Sequence, residues 1–378
     1  MCSSFAFGTV FFLSKNYNAG QIGVVLAVAS ILSVPAQSVA AAFADRSARV
    51  SMKQFTLVLA AAGAFLAALR FFFSNLPVAP AVLFILEQAV MNALEPLVNS
   101  LGVQAMNRGA QVNFGLSRGI GSITYAGVSV ALGLFLKSGS CYVLPLFSVV
   151  LYAAFAVSVV KFPDERCAQV QGKAAFLGGP GRGGTGSAPG DRFFARENWR
   201  FFLLLAAVVL TFCSFIMTSS YLIQIMERVG GTAENVGIAN GLAAAIELPG
   251  MVLFGVLIKK FRSGSILQAA FAVFVLKALA IMLSPNVASL YAAQILQFGS
   301  YALFIPASVY YVNEIVPEKD LAKGQAALTS AFAVGGVGAN LIGGWLLDAA
   351  GVVPMLLAGV LVAAGGWLLG AFSVRKKA

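Results

Sequence analysis

The chain has 378 residues, of which 59% are hydrophobic and 10% are charged, and its mean hydropathy is +0.88. Soluble domains carry roughly 25% charged residues, so this composition excludes a soluble globular protein and predicts an integral membrane protein. Apolar runs of about twenty residues recur without strand-length alternation, which favours membrane helices over a barrel. The formal net charge of +11 includes no histidine, the commonest metal ligand and proton shuttle.

The cysteine pattern bounds the chemistry further. Cys2, Cys141, Cys167 and Cys213 are scattered, with no spacing typical of a disulfide framework or a metal site. No nucleophile–base pair or cofactor motif is visible either, so we expect neither a metal, a cofactor nor an enzyme. Any proton coupling would then depend on carboxylates.

Twelve apolar segments follow one another along the chain. The first, residues 2–13, is too short to cross a hydrocarbon core of about 30 Å at about 1.5 Å per residue. It lacks the basic flank and cleavage site of a signal peptide, so we expect the chain as given to lack the beginning of this helix. The other segments cover residues 19–43, 54–73, 78–105, 113–136, 141–160, 200–226, 235–258, 265–283, 288–312, 322–347 and 353–373.

One long connection, residues 161–199, divides these segments into two groups of six. Its GGPGRGGTGSAPGD run is typical of a flexible linker, and it is not a phosphate-binding loop, because no Gly-Lys-Ser/Thr follows and no strand precedes it. Two groups of six are typical of transporters built from repeats. We predict a six-helix bundle over residues 1–160, a cytoplasmic linker over 161–199 and a second bundle over 200–378.

Basic residues are distributed unequally between the two faces of the predicted membrane domain. The turns on the linker's side carry Arg46, Arg49, Lys53, Arg108, Lys259, Lys260, Arg262, Lys319 and Lys323, whereas the opposite turns carry Lys15, Arg70, Lys137 and Arg228. By the positive-inside rule this bias predicts twelve helices with both termini cytoplasmic, in a bacterial inner membrane. The basic excess thus sets the topology in the lipid bilayer and does not predict a nucleic-acid partner.

The fourth and fifth segments contain side chains that lipid does not tolerate. The fourth carries polar residues at steps of four, three and four, which lie on one helix face: Gln88, Asn92, Glu95 and Asn99. After a short turn, Arg118 lies at nearly the same depth as Asn99. Ionisable residues at bilayer depth mark substrate or ion sites by default. The alternative is a structural pair that holds the two helices together.

In the eighth segment, Glu247 stands alone among apolar residues just before Pro249 and Gly250, which can free backbone carbonyls beside it. Because an apolar environment disfavours the ionised carboxylate, we expect Glu247 to exchange a coupling proton. Lys277, alone in the ninth segment, is the cation that we expect to pair with it. The alternative is a structural hydrogen bond at a helix kink.

Smaller signals complete the pattern. Leu69-Arg70 late in the third segment echoes Leu276-Lys277 in the ninth. Amide side chains are costly in lipid and favour a cavity-facing position. We therefore expect Gln294 and Gln297 of the tenth segment to face a cavity, where they and neighbouring hydroxyls would suit a hydroxyl-rich solute. Five glycines of the eleventh segment indicate close helix packing: Gly335, Gly336, Gly338, Gly343 and Gly344.

The turn after the second segment contains Asp45, Arg46 and Arg49. An aspartate followed by cations at a helix end can pair neighbouring helix ends and release them when they separate, which predicts a gate. The alternative is ordinary positive-inside flanking.

These residues resemble the major facilitator superfamily over nearly the whole chain. Gln37 with Phe43-Ala44-Asp45-Arg46 is similar to that superfamily's loop motif after helix two, and Gly343-Gly344-Trp345-Leu346-Leu347-Asp348 is similar to its eleventh-helix ending. The resemblance implies an all-α membrane protein with the major facilitator fold, in which two six-helix bundles rock around a central cavity.

Within the superfamily, the branch of lactose permease and related sugar–proton symporters is the most similar. The stretch from Phe114 to Ser122 resembles its fifth-helix motif and implies that Arg118 binds substrate, while Glu247-Leu248-Pro249 resembles its eighth-helix acidic motif. The branch's acidic partner on helix four falls on Asn99, which leaves Glu95 one turn away as a substitute. Its tenth-helix lysine, histidine and glutamate are replaced by Gln294, Gln297 and Ser300.

The sequence therefore predicts a monomeric, proton-coupled secondary transporter for a small polar solute. Glu95, Asn99 and Arg118 would hold a sugar, glycoside or nucleoside from one half, with Gln294 and Gln297 facing them. Two alternatives stay open. The chain's many Phe and Met side chains would also suit efflux of amphipathic compounds. The short first helix and the altered tenth helix would suit a membrane sensor that no longer transports.

Overall fold

A computed structural model describes residues 7–46, 51–107, 114–137, 143–162, 199–317 and 320–374, and throughout these ranges every regular element is a helix. The all-α fold class is therefore confirmed. The elements are α1 Gly8–Ser14, α2 Ala19–Arg46, α3 Met52–Phe72, α4 Ala79–Asn107, α5 Phe114–Lys137, α6 Val143–Lys161, α7 Trp199–Ser220, α8 Leu222–Arg228, α9 Ala233–Lys260, α10 Ser263–Leu283, α11 Val287–Ile295, a 3₁₀ turn Leu296–Phe298, α12 Tyr301–Ile315, α13 Leu321–Ala350 and α14 Val352–Ser373.

Among the described residues, ten helical stretches are long and apolar enough to cross a membrane, and Ile120–Leu136 is a shorter apolar one. With α7 and α8 counted as one segment, and α11 and α12 as another, successive segments run alternately away from and toward the side where α6 ends and α7 begins. We call that side the linker side and the opposite one the far side. On the far side lie the beginnings of α2 and α9 and the end of α13.

Two segments that the sequence predicts as continuous helices are broken. The seventh is divided at Tyr221, whose hydroxyl donates to the carbonyl of Asn340 over 2.6 Å. The tenth is divided by the 3₁₀ turn, after which the Ser300 hydroxyl donates to the carbonyl of Leu296 over 2.8 Å. In both places a side chain binds a backbone carbonyl at the break. Short 3₁₀ stretches inside helices often mark functional positions.

The helices pack as two groups that meet on the far side. In the first half α4 packs against α2 and α3, and α3 also packs against α6; in the second, α7 packs against α13 and α14. The halves meet where α2 crosses α13 and where α5 crosses α9. Gly23 of α2 lies directly against the carbonyl oxygen of Asn340 on α13, with no room for a Cβ. Such close backbone approach is how membrane helices gain packing energy where lipid offers no hydrophobic drive.

The two halves repeat one another in detail. Helices α2 and α9 both have 28 residues, and each contains one proline, Pro35 and Pro249, at the same position along the helix. Proline removes one hydrogen bond of the helix ladder and bends it. The repeat that the sequence suggested through Arg70 and Lys277 thus extends to the length and proline position of these two helices.

The glycine-rich eleventh segment, now α13, packs closely as expected at three of its five glycines. A Cβ on Gly335 would meet the carbonyl oxygen of Val209 at 2.6 Å, and one on Gly344 would meet that of Ala19 at 2.5 Å. A Cβ on Gly343 would lie 2.8 Å from the Tyr221 ring. Gly336, in contrast, faces open space, so the composition of the stretch did not distinguish packed glycines from free ones.

Candidate functional site

Three side chains from neighbouring helices form a hydrogen-bonded chain inside the C-terminal half. The Lys277 ammonium group on α10 donates to Gln297 Oε1, and Gln297 Nε2 donates to Glu247 Oε1 on α9 over 2.8 Å. Lys277 and Gln297 are 5% and 3% exposed, whereas Glu247 is half-buried. The structure thus brings together the cation and the carboxylate that the sequence paired, and inserts an amide between them. We call these three residues the lysine–glutamate network.

The chemistry of its neighbours fixes how the amide of Gln297 points. An ammonium group only donates, and an ionised carboxylate only accepts. One orientation of the amide satisfies both, with its oxygen toward Lys277 and its nitrogen toward Glu247. Hydrogen bonds to an ionised group are roughly twice as strong as neutral ones, so a proton gained by Glu247 would weaken the link to Gln297. The strength of the bond between Gln297 and Glu247 therefore depends on the charge of Glu247.

Aromatic rings border the network on the side of α7. Lys277 Nζ lies 5.5 Å from the centroid of the Phe215 ring, a distance at which the ring face attracts a cation. Phe215 in turn stacks on Tyr301, with ring centroids 5.2 Å apart. Tyr301 begins α12 directly after the break that contains Gln297. The polar network and a stacked aromatic surface consequently share one region of the C-terminal half.

A second charge pair, which the sequence patterns did not predict, is buried in the N-terminal half. Arg70 Nη2 on α3 lies 3.1 Å from Glu87 Oε2 on α4, with both side chains at most 1% exposed. The guanidinium group also donates to Ser148 Oγ over 3.5 Å and lies 5.1 Å from the centroid of the Phe11 ring. The placement of Arg70 in a far-side turn is therefore wrong, because its charge folds inward onto a carboxylate of the next helix.

A signal for this pair was present in the sequence. Glu87 follows Arg70 at the same separation along the chain as Gln294 follows Lys277. The echo between Arg70 and Lys277, extended by one helix, would have pointed to Glu87. Charge counting assigned Arg70 to a turn because it lies near a helix end, and such counting carries no information about partners.

The polar stripe of α4 divides into two parts. Asn92 Nδ2 donates to Ser33 Oγ on α2 over 3.0 Å and to the carbonyl of Gln88 over 2.8 Å, so for Asn92 the alternative of a structural contact between helices applies. Glu95 and Asn99, closer to the linker side, are exposed on α4. Their role in binding a solute stays a prediction.

The structure describes the side chains of only some of the other predicted site residues. Gln294 is buried on α11 at 6% exposure. Arg118 belongs to α5, and Asp45 and Arg46 to the end of α2, but their side chains lie outside the part of the chain that the structure describes. Arg49 also lies outside the described residues. Their roles in substrate binding and gating stay predictions.

Comparison with known proteins adds the family. Residues 2–358 match the protein family described as "MFS_1 like family". The maltose permease of Geobacillus stearothermophilus is 28% identical over 365 residues, which cover 91% of this chain and 85% of the permease. The similarity therefore extends over both halves and the connection between them.

Solved structures with low sequence identity show the same fold. A variant of the nucleoside transporter NupG superposes with a TM-score of 0.78 at 14% identity and covers 98% of this chain and 95% of that one. An auto-inhibited peptide transporter of the POT family gives 0.72 at 13% identity, with 98% and 94% covered. At such identities the likeness concerns the fold alone. Together with the family match, it establishes that the chain belongs to the MFS_1 like family of the major facilitator type and is a multi-pass membrane transporter.

Proposed function

We propose that the protein is a secondary active transporter that carries a small polar solute by alternating access and couples this movement to protons. A sugar or glycoside is the preferred solute, with a nucleoside next. In this proposal the chain acts as a monomer in a bacterial inner membrane, with residues 1–160 and 200–378 as the moving halves and a cytoplasmic linker over 161–199.

The lysine–glutamate network is the observation that supports coupling. Burying a lone ammonium group at bilayer depth costs roughly 3 kcal/mol or more unless the charge is compensated, and here Glu247 compensates Lys277 through one amide. Protonation of Glu247 removes that compensation, so the network has two charge states with different internal bonding. A coupled transporter requires such a pair of states, each favoured by a different occupancy of the site.

The solute class rests on the polar groups and on the relative. Glu95 and Asn99 are exposed on α4, and Arg118 follows on α5, so the N-terminal half offers a carboxylate, an amide and a guanidinium group. Such groups suit a ligand with many hydroxyls, because each hydroxyl both donates and accepts. The 28% identical maltose permease favours a sugar over the nucleoside suggested by fold alone.

Thermal unfolding of the purified protein against a ligand panel tests the solute class. A ligand at a hundred times its dissociation constant stabilises the folded state by about 2.7 kcal/mol. In a panel that also contains organic acids and lipophilic cations, we expect a sugar, glycoside or nucleoside class to raise the melting temperature selectively, and Arg118→Ala to abolish the rise. Stabilisation by lipophilic compounds alone would replace the proposal with efflux.

Glu247→Gln tests the coupling. The amide keeps the shape of the side chain but cannot take up a proton, so the variant should retain the ligand-induced thermal shift and lose proton-driven uptake in vesicles. Glu227→Gln, which removes an exposed carboxylate on α8, is the matched control and should transport normally. Unchanged proton-driven uptake in Glu247→Gln would contradict the proposed switch. Ligand binding without uptake in the unmodified protein would instead indicate a sensor.

A further inference from the structure

The beginning of α2 is capped by a residue from the other half of the molecule. The first N–H groups of a helix have no partner within it and need an acceptor from elsewhere. The Asn18 side chain accepts from the N–H of Gln21 over 2.8 Å. The N–H groups of Ala19 and Gly20 instead donate to the two carboxylate oxygens of Asp348, over 2.9 and 2.7 Å.

Asp348 lies near the far-side end of α13, where α13 packs tightly against the beginning of α2. A Cβ on Gly20 would lie 2.8 Å from Asp348 Oδ2, closer than real Cβ contacts. One turn earlier in α13, Gly344 lies against the carbonyl of Ala19 with a distance of 2.5 Å from its missing Cβ. Glycines on both helices therefore let the carboxylate reach the backbone of α2.

The physical chemistry of this contact favours a closed far side. A carboxylate at a helix N-terminus gains from the helix dipole and from charge-assisted hydrogen bonds. The first turn of α2 contains no acidic residue of its own, so the negative charge comes from α13. Because donor and acceptor belong to different halves, both bonds break when the far-side ends of α2 and α13 separate.

We propose that Asp348 is a gating residue, whose carboxylate holds the far side closed by capping α2 and whose release accompanies opening toward that side. The inference concerns the movement of the halves and depends neither on the solute nor on the coupling ion. A purely structural cap is the competing explanation. It predicts lost thermal stability without any change in how often the far side opens.

A buried reporter distinguishes the two. Ser129 on α5 is 0% exposed, and its carbonyl lies against Gly237 of α9, so it reports on far-side closure at a contact separate from Asp348. In a background with the four native cysteines replaced, Ser129→Cys is reacted with a membrane-impermeant maleimide applied to the far side. Asp348→Asn and Asp348→Ala should raise the labelling rate about tenfold, the population shift expected for a lost charge-assisted bond.

Two glycine variants keep the test decisive even where an Asp348 variant fails to fold. Gly20→Ala displaces the carboxylate without removing its charge and should also raise labelling. Gly127→Ala is the control, because a Cβ there meets nothing within 4 Å, and it should label like the parent. Unchanged labelling in Gly20→Ala, or a lower melting temperature with parental labelling in Asp348→Asn, would overturn the proposal. So would equally raised labelling in Gly127→Ala.

Discussion

At the scale of single residues, each half buries one cation in a similar setting. Arg70 on α3 lies against the Phe11 ring of α1 and pairs with Glu87 of α4. Lys277 on α10 lies against the Phe215 ring of α7 and binds Gln297, which precedes α12. The ring, the cation and the partner therefore come from corresponding helices. Only the chemistry of the cation and of its partner differs.

That difference separates a fixed charge from a variable one. Arginine stays protonated in proteins, and its planar group suits direct pairing with a carboxylate. Lysine can lose its proton when buried, and its carboxylate is one amide away. The N-terminal half thus holds a cation whose charge is fixed, whereas the cation of the lysine–glutamate network is of a residue type that can change its charge.

Substitutions at the two sites should therefore affect different properties, stability at the N-terminal pair and proton coupling at the lysine–glutamate network. Glu87→Gln leaves the Arg70 charge buried without its counter-charge, so we expect the free energy of unfolding to fall by about 3–5 kcal/mol. Lys277→Arg keeps the charge of the network but fixes it, so we expect a folded protein that binds ligand and lacks proton-driven uptake. Chemical unfolding in detergent and uptake in vesicles measure the two effects.

Two results would contradict this assignment of a fixed charge to the N-terminal pair and a variable charge to the lysine–glutamate network. Lost coupling in a stable Glu87→Gln variant would make the N-terminal pair the titrating one. Proton-driven uptake that survives in Lys277→Arg would show that a permanent charge at this position is compatible with coupling.

At the scale of helices, the network depends on how α9 packs against the broken tenth segment. The 3₁₀ turn Leu296–Phe298 contains Gln297, and the hydrogen bond from the Ser300 hydroxyl to the carbonyl of Leu296 spans the break. Helix α9 approaches this break at Gly250, where a Cβ would lie 2.6 Å from Ala302 Cβ and 3.0 Å from the carbonyl oxygen of Phe298. The contact fixes the distance between Glu247 and Gln297.

Two glycines of α9 give a matched test of this packing. Gly250→Ala would force α9 away from the break, and overpacked sites typically lose about 1–3 kcal/mol. We expect lower thermal stability and weaker proton coupling in this variant. Gly255→Ala, on the same helix, adds a Cβ where nothing lies within 4 Å. It should be neutral in stability and uptake, and equal behaviour of the two variants would refute the role of the contact.

Sequence patterns predicted the helices better than their interruptions. Hydropathy follows local composition, so the extents of α3 and α10 agree with the predicted segments to within a few residues. At the breaks, the Tyr221 and Ser300 hydroxyls bind backbone carbonyls, and the partner of Tyr221 is Asn340 on a helix distant in sequence. A periodicity count contains no term for such partners. Arg70 was assigned to a turn for the same reason, because its partner Glu87 lies on another helix.

At the scale of the whole molecule, the repeat explains why the site is asymmetric. Ser33 of α2 and Glu247 of α9 occupy the same position along their helices, two residues before the matched prolines. Each accepts a hydrogen bond from an amide of the same half, Asn92 and Gln297 respectively. The same helix position thus carries a neutral structural link in one half and an ionisable one in the other.

The candidate site could be predicted only in part from the sequence. Glu247 and Lys277 stand out because a lone charge in an apolar run is costly, and their pairing follows from the need for compensation. Gln297 between them, and the capping of α2 by Asp348, did not follow. Both depend on which helices become neighbours, and one sequence indicates that a helix packs closely without naming its partner.

Membrane orientation is the last property of the whole molecule that the charges predict. The linker side carries Lys259 and Lys260 at the end of α9, and both are exposed, whereas the far-side turn around Leu76 between α3 and α4 is uncharged. Positive charges near helix ends are retained in the cytoplasm. In a cysteine-free background, Lys260→Cys should therefore react with an impermeant maleimide only in inverted vesicles. Leu76→Cys, which is 51% exposed in the parent, should react in intact cells, and the opposite pattern would place the linker outside.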